Sequence, residues 1–158
     1  MITIERARLA DREPIEALIC ASALPLDGLE AALASAVLAR DGDRLIGVAA
    51  LEPYGHLGLM RSVAVVTEFR GRGTGHELVE AAERLAVELG IDELYLLTET
   101  AEGWFARQGY ERVDRSKVPE ALTASAEFRG ACPETAVAMR RSPMRPATHR
   151  AQAAPAQS

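Results

Sequence analysis

The apolar positions along this chain change their period several times, and each change predicts an element. Ile2-Thr3-Ile4 alternates and predicts an opening strand. Asp11 is a good helix N-cap, and Ile15, Leu18 and Ile19 form a helical stripe behind it that Pro25 ends. Asp27 predicts the cap of a short second helix reaching Leu33. Apolar runs at 36–40 and 45–51 flank Asp41-Gly42-Asp43, a hairpin signal because Asp-Gly suits positive φ. Tyr54-Gly55-His56 makes the next turn, and 57–66 predicts a central strand, the third of three antiparallel neighbours. Over 75–89 the period becomes helical. Leu78, Ala82, Leu85 and Leu89 share one face, Glu77, Glu80, Arg84 and Glu88 the other, with Glu80 and Arg84 spaced as an i,i+4 pair and Gly90 at C′. A strand at Leu94-Tyr95-Leu96-Leu97 then implies a right-handed crossover and a parallel pair. Thr100 predicts the cap of a short helix holding Trp104 and Phe105 and ending at Gly109. A strand over 110–115, an insert over 118–132 with a helix around Leu122 to Phe128, and a closing strand over 136–140 follow.

Composition changes this picture mainly at its end. Pro, Ala, Gln and Arg dominate from Arg141, which predicts one domain over 1–140 and a disordered tail over 141–158. The 158 residues suffice for one substantial core, and a net charge of −5 argues against general nucleic-acid binding. No apolar stretch has membrane length, and the N-terminus is charged almost from its start, so a cytoplasmic protein without a membrane partner is expected. Cys20 and Cys132 form no metal pattern with the three histidines, and no metal is expected.

The segment richest in chemistry is Met60 to Gly75, MRSVAVVTEFRGRGTG. A β-branched strand feeds a turn in which Gly71, Gly73 and Gly75 alternate with larger residues, and a helix begins there. Glycines let backbone approach a ligand, and the first helical N–H groups lack internal partners, so the loop predicts an anion site. A Walker A loop would require Gly-Lys-Ser/Thr, which is absent. A dinucleotide fingerprint would need glycine at the sixth place from Gly71, where His76 stands. Asp92 or Glu93 lies at about the ~20-residue distance of its acidic partner, so a nucleotide-binding domain remains a rival.

Arg70-Gly71-Arg72-Gly73-Thr74-Gly75 resembles the Arg/Gln-x-x-Gly-x-Gly/Ala motif of the GNAT N-acetyltransferases, and the element order over 2–140 resembles that family's. The resemblance implies an α/β (α+β) GNAT acyl-CoA N-acyltransferase fold, a mixed and mostly antiparallel sheet flanked by helices. It implies acetyl-CoA as cosubstrate, its pyrophosphate held by the backbone of Arg70, Gly71, Arg72, Gly73, Thr74 and Gly75. It further implies a bulged central strand splayed from its parallel neighbour, with pantetheine in that V beside Val63, Ala64 and Val65. Two frequent family residues are missing: Phe105 stands where a Tyr often supplies the acid, and Thr98 where an Asn is common. The segment 96–110 is similar to N-acetylglutamate synthase. Leu59 to Val65, Lys117 to Pro119, Glu127-Phe128 and Cys132 to Met139 are similar to the arsenic-resistance-associated N-acetyltransferases.

The implied reaction is direct transfer of acetyl to a small-molecule amine, an amino acid or related acidic amine. The attacking amine must be neutral, so a base is needed, and Glu99 and Glu52 are the candidates. Arg61 interrupts an apolar strand and is expected to clamp an acceptor carboxylate, with Thr98, Lys117 and Arg129 completing the acceptor site. The competing account pairs Arg61 with Glu52 or Glu99. Cys132 reads as a small buried hydrophobe. A non-catalytic acyl-CoA-binding module is the alternative, motivated by Phe105 and Thr98, and homodimerisation is left open.

Overall fold

The computed structural model of the protein describes residues 1–142, so the expected tail lies outside the described residues from 143 onward. Seven strands form one sheet: β1 (Ile2–Arg6), β2 (Ala36–Asp41), β3 (Arg44–Tyr54), β4 (Leu57–Val65), β5 (Glu93–Thr98), β6 (Glu111–Val113) and β7 (Val137–Arg141). Their order is β1-β2-β3-β4-β5-β7-β6, and only the β4–β5 pair is parallel. The α-helices among the described residues are α1 (Arg12–Ala21), α2 (Leu29–Leu33), α3 (Thr74–Glu88) and α4 (Glu102–Arg107). The mostly antiparallel mixed sheet flanked by helices is the expected fold class.

Two apolar layers sandwich the sheet. Leu78, Ala82 and Leu85 of α3 pack with Ile46, Leu51 and Met60 on one face, and Ile15 and Ile19 of α1 meet Leu38, Val48 and Ala64 on the other. Burying each large side chain contributes roughly 1.5–3 kcal/mol, so the α3 stripe alone is enough to dictate its face. Leu89 is the exception to the predicted stripe. It is 40% exposed, because the helix ends at Glu88 and Gly90 turns the chain with φ of 82°.

The caps differ from the expectations. Asp11 sits at the N-cap of α1, but its carboxylate accepts from the Arg8 amide and Arg40. Gly28, with φ of 75°, precedes α2 in place of Asp27, whose carbonyl is taken by Arg61. Ala101 precedes α4, and the Ala101 amide donates to Thr98 Oγ1, so Thr98 rather than Thr100 organises that turn. Glu80 pairs with His76, not Arg84. The insert forms a 3₁₀ turn (Glu120–Ala124) and a π turn (Glu127–Ala131) where one helix was expected. Strand β7 runs to Arg141, one residue past the expected boundary. There Arg141 Nη1 reaches both Glu83 oxygens at 2.9 and 2.8 Å.

Candidate active site

Strand β4 carries the geometry that opens a site. Its pairing with β3 shifts: Ala50 faces Arg61 and Val48 faces Ala64, so Ser62 and Val63 oppose Ala49 alone. Ser62 takes φ of 57°, a left-handed conformation that costs a non-glycine residue roughly 1–2 kcal/mol. The sheet retains this bulge, which bends β4 away from β5. Parallel pairing with β5 is confined to Leu57–Leu59 against Glu93–Tyr95. Beyond it, Met60 to Val65 pair only with β3, while Leu96 to Thr98 turn to β7. Backbone groups along the open side of β4 are left for another partner, an arrangement suited to an extended, peptide-like molecule.

The glycine loop lies at the far end of that opening. Gly71 and Gly73 have φ of 77° and 84°, and a Cβ on either would project into open space. Both conformations are easy only for glycine. Among the described residues no side chain caps α3, so its first amides, on Thr74, Gly75 and His76, lack a side-chain partner beside the positive end of the helix. Arg70 is exposed, and its Nε donates to the Val65 carbonyl at 2.9 Å and ties the loop to the end of β4. Arg72 lies over the Phe69 ring, 5.1 Å from its centre. Gly75 lets α4 approach, since a Cβ there would sit 3.1 Å from the Trp104 ring.

Between these elements runs a groove of about 770 Å³. Its walls are the α1–α2 connection, the open edge of β4, the glycine loop, the end of β5 with Thr98 and Glu99, α4 with Trp104 and Phe105, and Glu127 and Cys132 from the insert. Phe105 packs edge-on against Trp104 and Tyr110 at 4.9 and 5.8 Å and offers the groove no hydroxyl. The Tyr110 hydroxyl is bound to Glu83 at 2.9 Å, away from the groove lining.

The structure brings some expected acceptor residues together and separates others. Glu99 is exposed and lines the groove. Thr98 lines it too, with its hydroxyl engaged by Ala101. Lys117 and Arg129 are exposed outside the lining, carried off by the short turns of the insert. Arg61 is drawn inward to the protein's own acceptors, and its side chain is fully buried. Its Nη1 donates to Glu52 Oε2 at 2.8 Å and to the Asp27 carbonyl at 2.6 Å, its Nη2 to the Pro25 carbonyl at 3.0 Å, and its Nε to Ser62 Oγ at 3.1 Å. Such a guanidinium ties β3, β4 and the α1–α2 connection together, while Arg61 also stands among the residues that line the groove. Glu52 is correspondingly occupied, its Oε1 accepting from the Tyr54 hydroxyl at 2.6 Å, and it does not line the groove.

One residue of the site is not evident from the apolar pattern. Glu127 is buried against the groove with Oε2 3.4 Å from Arg61 Nε. Burial pushes its carboxyl above the usual range, Arg61 pulls it back, and Glu52 pushes it up again. The Cys132 thiol is pushed up to about 12 by burial and by the Glu127 carboxylate beside it. No period signals Glu127, because it sits on a π turn where neither a helical nor a strand repeat applies.

Comparison with known proteins gives the geometry a context. The family described as Acetyltransferase (GNAT) domain matches residues 33–112, just over half of the 158-residue chain. An uncharacterized N-acetyltransferase from Chlorobaculum tepidum is 36% identical over 98 residues, which is 60% of this chain and 63% of the relative. An amino-acid acetyltransferase from Pseudomonas syringae pv. tomato is 35% identical over 94 residues, 58% of this chain and 22% of the relative. The chain thus spans less than two thirds of the length of these curated relatives. Among solved structures, N-acetylglutamate synthase from Neisseria gonorrhoeae, complexed with coenzyme A and N-acetyl-glutamate, superposes with a TM-score of 0.78. It is 23% identical, and the match covers 92% of this chain and 36% of that one, a likeness of fold alone.

Proposed function

Because the chain belongs to the GNAT acetyltransferase family, we propose that it moves an acetyl group from acetyl-CoA directly to the amine of a small acceptor, an amino acid or a close relative. The observation that carries this reading is the opening of β4 from β5 beside a bulge, ending at an uncapped, glycine-lined helix N-terminus. The loop supports pyrophosphate binding by backbone amides, with glycine conformations and open space where a phosphate must come close. The open edge of Val63, Ala64 and Val65 suits the amide-bearing pantetheine arm. That acetyltransferases acting on amino acids stand among the relatives supports the acceptor class.

Held in this groove, the amine attacks the thioester carbonyl, a C–N bond forms, the C–S bond breaks and thiolate departs. Positioning supplies much of the rate, and thiolate leaves without obligatory help from a hydroxyl, so Phe105 is compatible with catalysis. Of the two carboxylates expected as base, Glu99 faces the groove, whereas Glu52 is committed to Arg61 and Tyr54. The likeness of the insert to the arsenic-associated group adds arsenic-containing amino acids to the acceptors worth testing.

Two measurements test the proposal. Coenzyme A at 100 times its Kd should stabilise the protein by ~2.7 kcal/mol, or about 5–10 °C in Tm. Acetyl-CoA with a panel of amino acids should release thiol. Stabilisation without release from any amine would favour the acyl-CoA-binding module suggested by Phe105, and absence of both would end the cofactor reading.

A further inference from the structure

We propose that Glu127 takes the proton from the acceptor's ammonium group before acetyl transfer. The assignment rests on the acetyl-transfer reading above. It begins with charge. Among the described residues Arg61 is the only cation in its cluster, and it lies between two carboxylates, 2.8 Å from Glu52 and 3.4 Å from Glu127, with all three side chains at most 5% exposed. One positive charge among two negative ones leaves one buried negative charge in excess. Glu52 has the closer contact and a hydroxyl from Tyr54 on its second oxygen. The less compensated carboxylate is Glu127, and it is the one on the groove wall.

A buried carboxylate without a full partner is costly and gains from a cation brought beside it. An amine at neutral pH arrives as such a cation. Giving one proton to Glu127 then makes the carboxyl neutral, which removes the excess charge, and makes the amine nucleophilic. The raised proton affinity of Glu127 acts in the same direction.

The groups around it leave the role to this residue. From β3 and β4 it is faced by Glu52 and Arg61, and from its own segment by the Cys132 thiol, which stays protonated at neutral pH. Glu99 acts on Cys132 from the end of β5 but is solvent-exposed at the groove's mouth. Tyr54, adjoining through Glu52 and Ser125, is held in its hydroxyl form by burial, pushed up to about 12. The Glu127 amide donates to Ser125 Oγ at 3.2 Å and fixes the turn. Two protons leave the nitrogen overall. One goes to Glu127 and from there to solvent, and the second, released by the tetrahedral adduct, goes to the departing thiolate as the C–S bond breaks.

The test uses the full chain, acetyl-CoA and an L-amino-acid panel, with thiol release followed from pH 5 to 10. Glu127→Gln should lower kcat/KM at pH 7 by ~100-fold or more. The deficit should shrink toward pH 10, where free amine is present in solution, while the thermal shift given by coenzyme A stays unchanged. Glu127→Asp should recover part of the activity and keep the native loss of rate at low pH, which also covers poor folding of the Gln variant. A Glu127→Gln enzyme within ~3-fold of native at pH 7, a deficit equal at every pH, or a pH-dependent deficit that follows Glu99→Gln instead would overturn the assignment. A native protein that is stabilised by coenzyme A yet acetylates nothing would overturn acetyl transfer itself, a result distinct from failure of Glu127 alone.

Discussion

The glycine loop offers a substitution whose two costs separate. Gly73 has φ of 84°, and a Cβ placed on it meets no atom within 4 Å. In the free protein, Gly73→Val therefore creates no clash, and its cost is the left-handed conformation itself, roughly 1–2 kcal/mol and more for a branched side chain. For a domain of this size that predicts a Tm lower by about 2–8 °C. With coenzyme A present, the branched side chain occupies the space in which phosphate meets the amides of α3. The expected loss of affinity is at least ~10-fold, or ~1.4 kcal/mol. Gly42 supplies the control. It has φ of 63° in the β2–β3 hairpin, and a Cβ there also meets nothing within 4 Å. Gly42→Val should show a similar fall in Tm with native affinity. Calorimetric titration of coenzyme A into the two folded variants decides the matter. Equal, native-like Kd values would refute the phosphate-loop reasoning, as would equal losses in both, since that would trace the effect to strain at a distance.

Three further outcomes are expected. Arg61→Ala strands Glu52 and Glu127 in the interior, and breaking such a buried pair costs ~3–5 kcal/mol, so Tm should fall by roughly 6–20 °C. An unchanged Tm with a tenfold higher acceptor KM would instead support the carboxylate clamp. A chain ending at Ser142 should keep native Tm and coenzyme A binding, because the sequence beyond it has no apolar period, whereas Arg141→Ala should lose ~1–3 kcal/mol by leaving Glu83 with the Tyr110 hydroxyl but without its cation. Equal denaturant stability of Arg141→Ala and native protein would contradict this. Finally, burial raises the Glu127 carboxyl above its ordinary value of 4.5, so the fold favours the protonated form. That contribution is complete below about pH 4.5 and is lost as pH rises through the raised value. Glu127→Gln has no such proton to lose, so its stability relative to native should increase from pH 4 to pH 8 in urea titrations. A relative stability that declines over that range would show the sign to be wrong.

Much of this molecule is legible in its sequence because the relevant physics is local. Periods of two and 3.6 placed the strands and α3, Asp41-Gly42-Asp43 fixed a hairpin, and Gly71 and Gly73 marked a turn whose positive φ only glycine adopts easily. Tertiary structure decided what depends on competition for partners. Asp11 and Asp27 have the chemistry of caps, yet the Asp11 carboxylate and the Asp27 carbonyl went to arginines from distant strands. Arg61 has the chemistry of a substrate clamp, but whether its charge is free depends on Glu52 nine residues earlier and Glu127 on a separate turn. No apolar period marks Glu127 as a site residue, for its burial and its unequal share of one guanidinium arise only when the insert folds against the open edge of β4. Local rules act over a turn or two of chain, while a buried charge is defined by every group that the fold brings within a few ångströms of it.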